Sequence, residues 1–280
     1  IVGDVLKALR SGKYDPSNVV VGMTQTGGQC RATNYVPLIK KALVDAGYTD
    51  VPVVAVSFGE SLGNYQPGFR MNWFKLLPIT FYAILYSDCI AKFYHASVVR
   101  ERKSGTAAAL RDKYLRLASD EAIPARNTRR MNELLAQAAR EFNDICTDRP
   151  TQKVGVVGEI FLKFNPFAQK HVTDWLIAQG IEVVPPVLLD FFAQAFVNRR
   201  VNTDTYVSKR AVTDVAFDLA YRLVRKHIEK VNRTCSAFRY FTPFNDIFEE
   251  AKEGALAVSL SAQFGEGWLL PAEIISMWHR

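Results

Sequence analysis

Two stretches of this chain repeat one pattern, and the pattern decides the fold class. Residues 18–23 (Asn18-Val19-Val20-Val21-Gly22-Met23) form a short β-branched run bounded by turn residues. Such a run reads as a strand buried on both faces, as in parallel sheets. A small, polar, glycine-bearing segment follows over 24–30. Residues 33–46 then carry Leu38, Ile39, Ala42 and Leu43 on one helical face. Gly47 is placed to stop that helix as its left-handed C′ residue. Residues 51–57 form a second apolar run, which completes a β-α-β unit with a right-handed crossover. The same order returns after residue 150, with a strand over 154–160, a helix over 167–178, a stop at Gly180 and a strand over 181–184.

Helical periodicity fills most of the rest. It covers 71–99 and 105–146, with a break at Ala122-Ile123-Pro124, and returns over 188–197, 205–232, 244–251 and 271–278. Residues 255–260 read as a late strand. Alternating strands and helices predict an α/β protein of two Rossmann-like lobes, with mostly parallel sheets and long additional helices. The polar segment Thr147-Asp148-Arg149-Pro150-Thr151 divides them. Residues 1–150 form a lobe with the glycine-bearing loop and a helical segment; residues 151–280 form a second lobe, truncated at its C-terminal end. The chain opens on Ile1, not Met, and reads as a processed or excised piece.

Composition narrows the class further. With 49% hydrophobic and 22% charged residues, a disordered or fibrous chain is excluded. The net charge of +7 is dispersed, and its two clusters, Arg100–Arg116 and Arg126–Arg130, are interleaved with acids such as Glu101, Asp112 and Glu121. Mixed-sign clusters of this kind read as solvated helix faces, so no nucleic-acid partner is expected. The longest apolar run, over 76–86, contains Pro78 and is flanked by Lys75, Asp88 and Lys92. A membrane span takes roughly 20 apolar residues, so this run reads as a buried helix and no membrane partner is expected. The four cysteines, Cys30, Cys89, Cys146 and Cys235, lie far apart with no C-x-x-C. That spacing argues against a self-contained zinc site or a disulfide framework, and for a reducing cytoplasm.

Ligands of open α/β sheets sit beyond the carboxyl ends of the strands. Three loops meet that rule: 24–30, 159–165 and 261–267, which would line one cleft if the lobes face each other. In the first, Cys30 lies at a strand-to-helix turn, where a helix N-terminus favours the thiolate. Arg31 adds positive charge, while Gly27 and Gly28, beside Thr26, allow close backbone approach to a ligand. The loop therefore suits a nucleophilic thiol, a metal–sulfur ligand or an anion cradle, and equally a plain tight turn. It lacks the P-loop pattern. Glu159 and Glu266 are the carboxylate candidates for acid–base work, and each is equally placed to bond loop backbone. Cys89, Cys146 and Cys235 read as buried, inert thiols. The four histidines share no motif.

The residues Val21-Gly22-Met23-Thr24-Gln25-Thr26-Gly27-Gly28-Gln29-Cys30-Arg31-Ala32-Thr33-Asn34-Tyr35 resemble a motif of the CoA-substrate-specific enzyme activase-related proteins, relatives of the 2-hydroxyacyl-CoA dehydratase system. The run 154–160 leading to Asn165-Pro166-Phe167 and the segment Gln263-Phe264-Gly265-Glu266-Gly267-Trp268-Leu269-Leu270 resemble the same family, in the same order. The resemblance implies the dehydratase-subunit-like portion of an ATP-dependent electron-transfer system acting on acyl-CoA. There, an actin-like ATPase, as a separate activase or another part of the parent chain, passes an electron to a 4Fe–4S cluster held by cysteines between Rossmann-like lobes. Cys30 matches the family's cluster cysteine, with Thr26, Gly27, Gly28 and Arg31 around it. Family members carry further cysteines before the position of Ile1 and after Arg280. One thiolate cannot hold a cubane cluster, so this piece alone is expected to be cluster-free and inactive.

Overall fold

The computed structural model describes residues 1–24, 31–56 and 72–279. They fall into two compact units, Ile1–Asn72 and Trp73–Arg280. The described chain is mostly helical, with two small parallel sheets.

In the first unit, helix α1 (Val2–Arg10) precedes strand β1 (Val21–Thr24), a 3₁₀ turn (Arg31–Asn34), helix α2 (Tyr35–Asp45) and strand β2 (Val53–Val56). The strands run parallel, in a register from Val21 opposite Val53 to Thr24 opposite Val56. Leu9, Ile39, Leu43 and Val51 make the core. Gly47 closes α2 at φ +81°, and the Tyr48 N–H donates back to the Leu43 carbonyl at 2.8 Å. A side chain at that φ is strained, which is why glycine stands there.

The second unit is built on helix α3 (Trp73–Val98). Within it, Lys75–Val98 is long and apolar enough to cross a membrane by length and composition. Here Leu85, Cys89, Ile90 and Phe93 have no solvent exposure and form the centre of the largest core. Helices α4 (Thr106–Leu117) and α5 (Thr128–Ile145) pack on α3, joined by a π turn at Ala118–Ala122. Strand β3 (Lys153–Gly155), the short helix α6 (Ile160–Lys163), helix α7 (Val172–Ala178) and strand β4 (Glu182–Val184) come next. β3 and β4 are parallel, with Lys153 opposite Glu182. The chain ends in helices α8 (Leu188–Asp204), α9 (Val212–Cys235), α10 (Ile247–Ala255) and α11 (Leu269–Trp278).

The polar segment at 147–151 does not separate two cores. Leu189, Val231, Cys235 and Phe238, beyond it, lie in one cluster with Leu85, Phe93 and Phe142, before it. A buried ion pair ties the two stretches: Arg100 reaches Glu182 of β4 at 2.7 Å and stacks over Tyr240 at 4.2 Å.

Several local expectations shift. The strand expected over 154–160 stops at Gly155, opposite Val184, where Pro185 and Pro186 end β4; farther on, the buried Glu266 carboxylate accepts from the Ile160 N–H at the start of α6. The helix expected from 167 begins at Val172, since Lys170 and His171 take left-handed φ of +53° and +56°. The late strand over 255–260 is a turn: the Ala257 and Val258 N–H groups both donate to Gly254, and Val258 and Leu260 pack on a smaller core around Trp268. The segment joins neither of the two sheets.

Candidate functional site

β1 delivers Thr24 to the carboxyl end of a parallel pair, opposite Val56. The backbone resumes at Arg31 in the turn that leads into α2. Thr26, Gly27, Gly28 and Cys30, and the Arg31 side chain, lie outside the described residues.

The other two expected loops meet inside the second unit. Glu159 is the N-cap residue of α6. Glu266 is buried; its Oε2 accepts from the Ile160 N–H at 3.1 Å, and its Oε1 lies 3.5 Å from the Lys163 ammonium. Lys163 has no exposed side-chain surface and donates to Glu273 of α11 at 2.6 Å. Burial pushes the Glu273 carboxyl up, while Lys163 pulls it back. Glu266 thus holds α6 against α11, as a carboxylate bonded to loop backbone does.

A further opening in this unit was invisible to sequence reading. It is a cleft of about 860 Å³ between α8, α9 and the start of α10, within the size range of small-molecule sites. Tyr221, Phe244 and Phe248 line its apolar wall, and Arg200, Arg222 and Arg225 supply positive charge. The Tyr221 hydroxyl donates to Asp246, which caps α10 through the Phe248 N–H at 2.9 Å. Asp190 forms part of the floor. It also borders a chamber of about 30 Å³, with Lys92, Asn245, Glu250, Glu273 and Ser276. That volume accommodates one or two waters.

Burial, reinforced by Glu250 and Asp88, pushes the Asp190 carboxyl up to about 8. Asp88 rises to about 6, chiefly by burial, even though it accepts from the N–H groups of Leu188 and Leu189 at 3.2 and 3.0 Å. One signal for these groups was present in the sequence. Asp190 interrupts the run Leu188-Leu189-Asp190-Phe191-Phe192, and Asp88 and Lys92 interrupt α3. A charge inside an apolar helical face marks either a break in burial or a paired interior group.

The described cysteines do not fit an iron–sulfur cluster. Cys89, Cys146 and Cys235 are buried free thiols. Burial, with Cys235 adjacent, pushes Cys89 well above the usual thiol range. Burial also raises Cys146. Cluster ligation takes thiolates, usually four. Among the described residues no group of three or more histidine, cysteine or acidic side chains converges on a metal position. No family model, curated protein or solved structure matches this chain.

Proposed function

We propose that this chain is the dehydratase-subunit-like portion of an ATP-dependent, iron–sulfur electron-transfer system acting on acyl-CoA. In this reading its two parallel sheets belong to two Rossmann-like lobes. One observation carries the reading: Gly27-Gly28-Gln29-Cys30-Arg31 begins two residues beyond β1, whose carboxyl end is where parallel sheets take ligands. Cys30 gives one thiolate, with Thr26, Gly27, Gly28 and Arg31 around it, and the remaining ligands come from outside these 280 residues. ATP hydrolysis belongs to an actin-like activase, and the setting is a reducing cytoplasm, with neither nucleic acid nor membrane as partner.

The test is anaerobic production of the full-length protein, followed by measurement of iron, acid-labile sulfide and visible absorption, with and without Cys30→Ala. A cluster that is lost on that substitution supports the reading. No cluster in the full-length protein, or one indifferent to Cys30, overturns it.

A second reading, a ligand- or partner-binding module without redox chemistry, is favoured by the cleft at Asp190. Its size and its mixture of aromatic wall and charged rim suit a small molecule.

A further inference from the structure

Helix α9 has two apolar faces. The first turns inward. Phe217 and Tyr221 meet the Phe196 ring at 6.1 and 5.5 Å, Tyr221 meets Phe248 at 4.8 Å, and Val231 and Cys235 are buried. The second face is open to solvent. At 3.6 residues per turn, Val212, Val215, Leu219 and Leu223 line up about 140° round the helix from the inward row. They are 90, 70, 59 and 52% exposed. Ala216 and Ala220, also exposed, lie beside the leucines. They leave a shallow groove of the kind that admits the ridge of another helix. An unbroken aliphatic row about 16 Å long is more than the single exposed residues ordinary on protein surfaces.

The charges that continue this row have one sign. Toward the C-terminus Lys226 and Lys230 continue the row, and Arg222 and Arg233 run along one edge. None of the four has an ion-pair partner among the described residues. The three acids of α9 lie off the row: Asp214 and Glu229 are engaged by Arg199 and Arg225, and Asp218 lines the cleft.

We infer that the outward face of α9 is a docking surface for an acidic amphipathic helix of a partner protein. The partner's aliphatic side chains seat along residues 212–223, and its carboxylates meet Lys226 and Lys230. A second copy of this chain fits poorly. Parallel pairing brings Lys226 against itself and opposes like charges, and antiparallel pairing that sets Val212 opposite Leu223 leaves Lys226 and Lys230 beyond the start of the partner helix with no carboxylate of the row to meet. An anionic membrane matches the charge but not the row, which holds only valine, leucine and alanine. Of the aromatic residues that could anchor an interfacial helix, Tyr221 turns inward onto Phe248, and Phe217, 42% exposed, packs on Phe196 away from the row. The inference is independent of the iron–sulfur reading.

The experiment uses a fluorescein-labelled helical peptide with leucines along one face and glutamates at one end of that face, and a twin with lysines for the glutamates. Anisotropy titration with the purified chain should show saturable binding, about tenfold tighter for the glutamate peptide at low salt. Leu219→Glu and Leu223→Glu should each weaken it about tenfold without shifting the thermal melt, since both side chains are exposed. The double variant Lys226→Glu/Lys230→Glu should reverse the preference between the peptides. Four outcomes overturn the inference: no binding of either peptide, equal binding of both, self-association abolished by Leu219→Glu, or binding to phosphatidylserine vesicles without binding to the peptide.

Discussion

Replacing Asp190 by asparagine should stabilise the second unit, and increasingly so as pH rises. Asp190 titrates near 8 when folded and near 3.8 when unfolded. Between those values the folded state holds a proton that the unfolded state releases. Stability is therefore complete below about pH 4 and falls as pH climbs to about 8. Each pH unit in that window removes about 1.4 kcal/mol, so pH 5 to pH 8 removes up to about 4 kcal/mol. The carboxyl borders an open cleft, and water there lessens the penalty, so about 2–4 kcal/mol is the expected range. Asparagine keeps the shape and has no charge to desolvate. Urea unfolding followed by tryptophan fluorescence isolates the effect, because Trp73, Trp175, Trp268 and Trp278 all lie in the second unit. Trp268 is fully buried, with its indole N–H on Asn198 at 2.7 Å, and is the most informative reporter. The gap between Asp190→Asn and the unaltered chain should widen steadily from pH 5 to 8. Profiles parallel within about 0.5 kcal/mol, or a variant less stable at pH 8, would refute the reasoning.

Lys163→Met should cost about 3–5 kcal/mol, read from the urea midpoint, because it strands Glu266 and Glu273 as buried charges. His95, pushed down to about 4 chiefly by burial, must stay neutral in the fold. Its contribution to stability should fall by about 3 kcal/mol as pH drops from 6.5 to 4, so His95→Leu should gain on the unaltered chain by that amount across the same window in the urea assay. Gly254→Ala should lower stability by about 1–3 kcal/mol in calorimetry, since its methyl would sit 3.0 Å from both the Trp268 carbonyl oxygen and the Ala272 methyl.

The first unit was largely legible in the sequence. Its strands are β-branched runs, its helix has a clear apolar face, and Gly47 marks the stop, so local chemistry and tertiary structure agree. The second unit was legible in pieces only. Its helices follow their periodicity, yet β3 ends early because β4, its partner, runs out at Val184 before Pro185 and Pro186. The turn at 255–260 has strand-forming residues but joins neither sheet, and Val258 and Leu260 pack on the Trp268 core instead. At the candidate site, periodicity found the loops, and the pairing of two of them through Glu266 and Lys163 came from tertiary contact. The cleft at Asp190 depends on how three helices splay, which no window of sequence encodes.

The buried charges explain how those pieces assemble. A two-stranded sheet is marginal by itself. β3 and β4 are held instead by Arg100, which reaches Glu182 from the end of α3, with Thr151 donating to the same carboxylate at 3.1 Å. Asp88 of α3 caps the start of α8. Lys163 fastens α6 to α11. Each contact spans roughly a hundred positions or joins elements on opposite sides of residues 147–151. Desolvating such groups is costly, so an apolar substitute of equal volume often matches their stability. Aliphatic contacts, however, tolerate sliding, whereas a carboxylate on two successive N–H groups fixes one helix at one register. On that argument the interior charges of the second unit select an arrangement among helices that are individually well formed. An Arg100→Met/Glu182→Met pair should then keep helicity by circular dichroism and lose the slow amide exchange of β3 and β4; unchanged exchange would leave the sheet's position to packing alone.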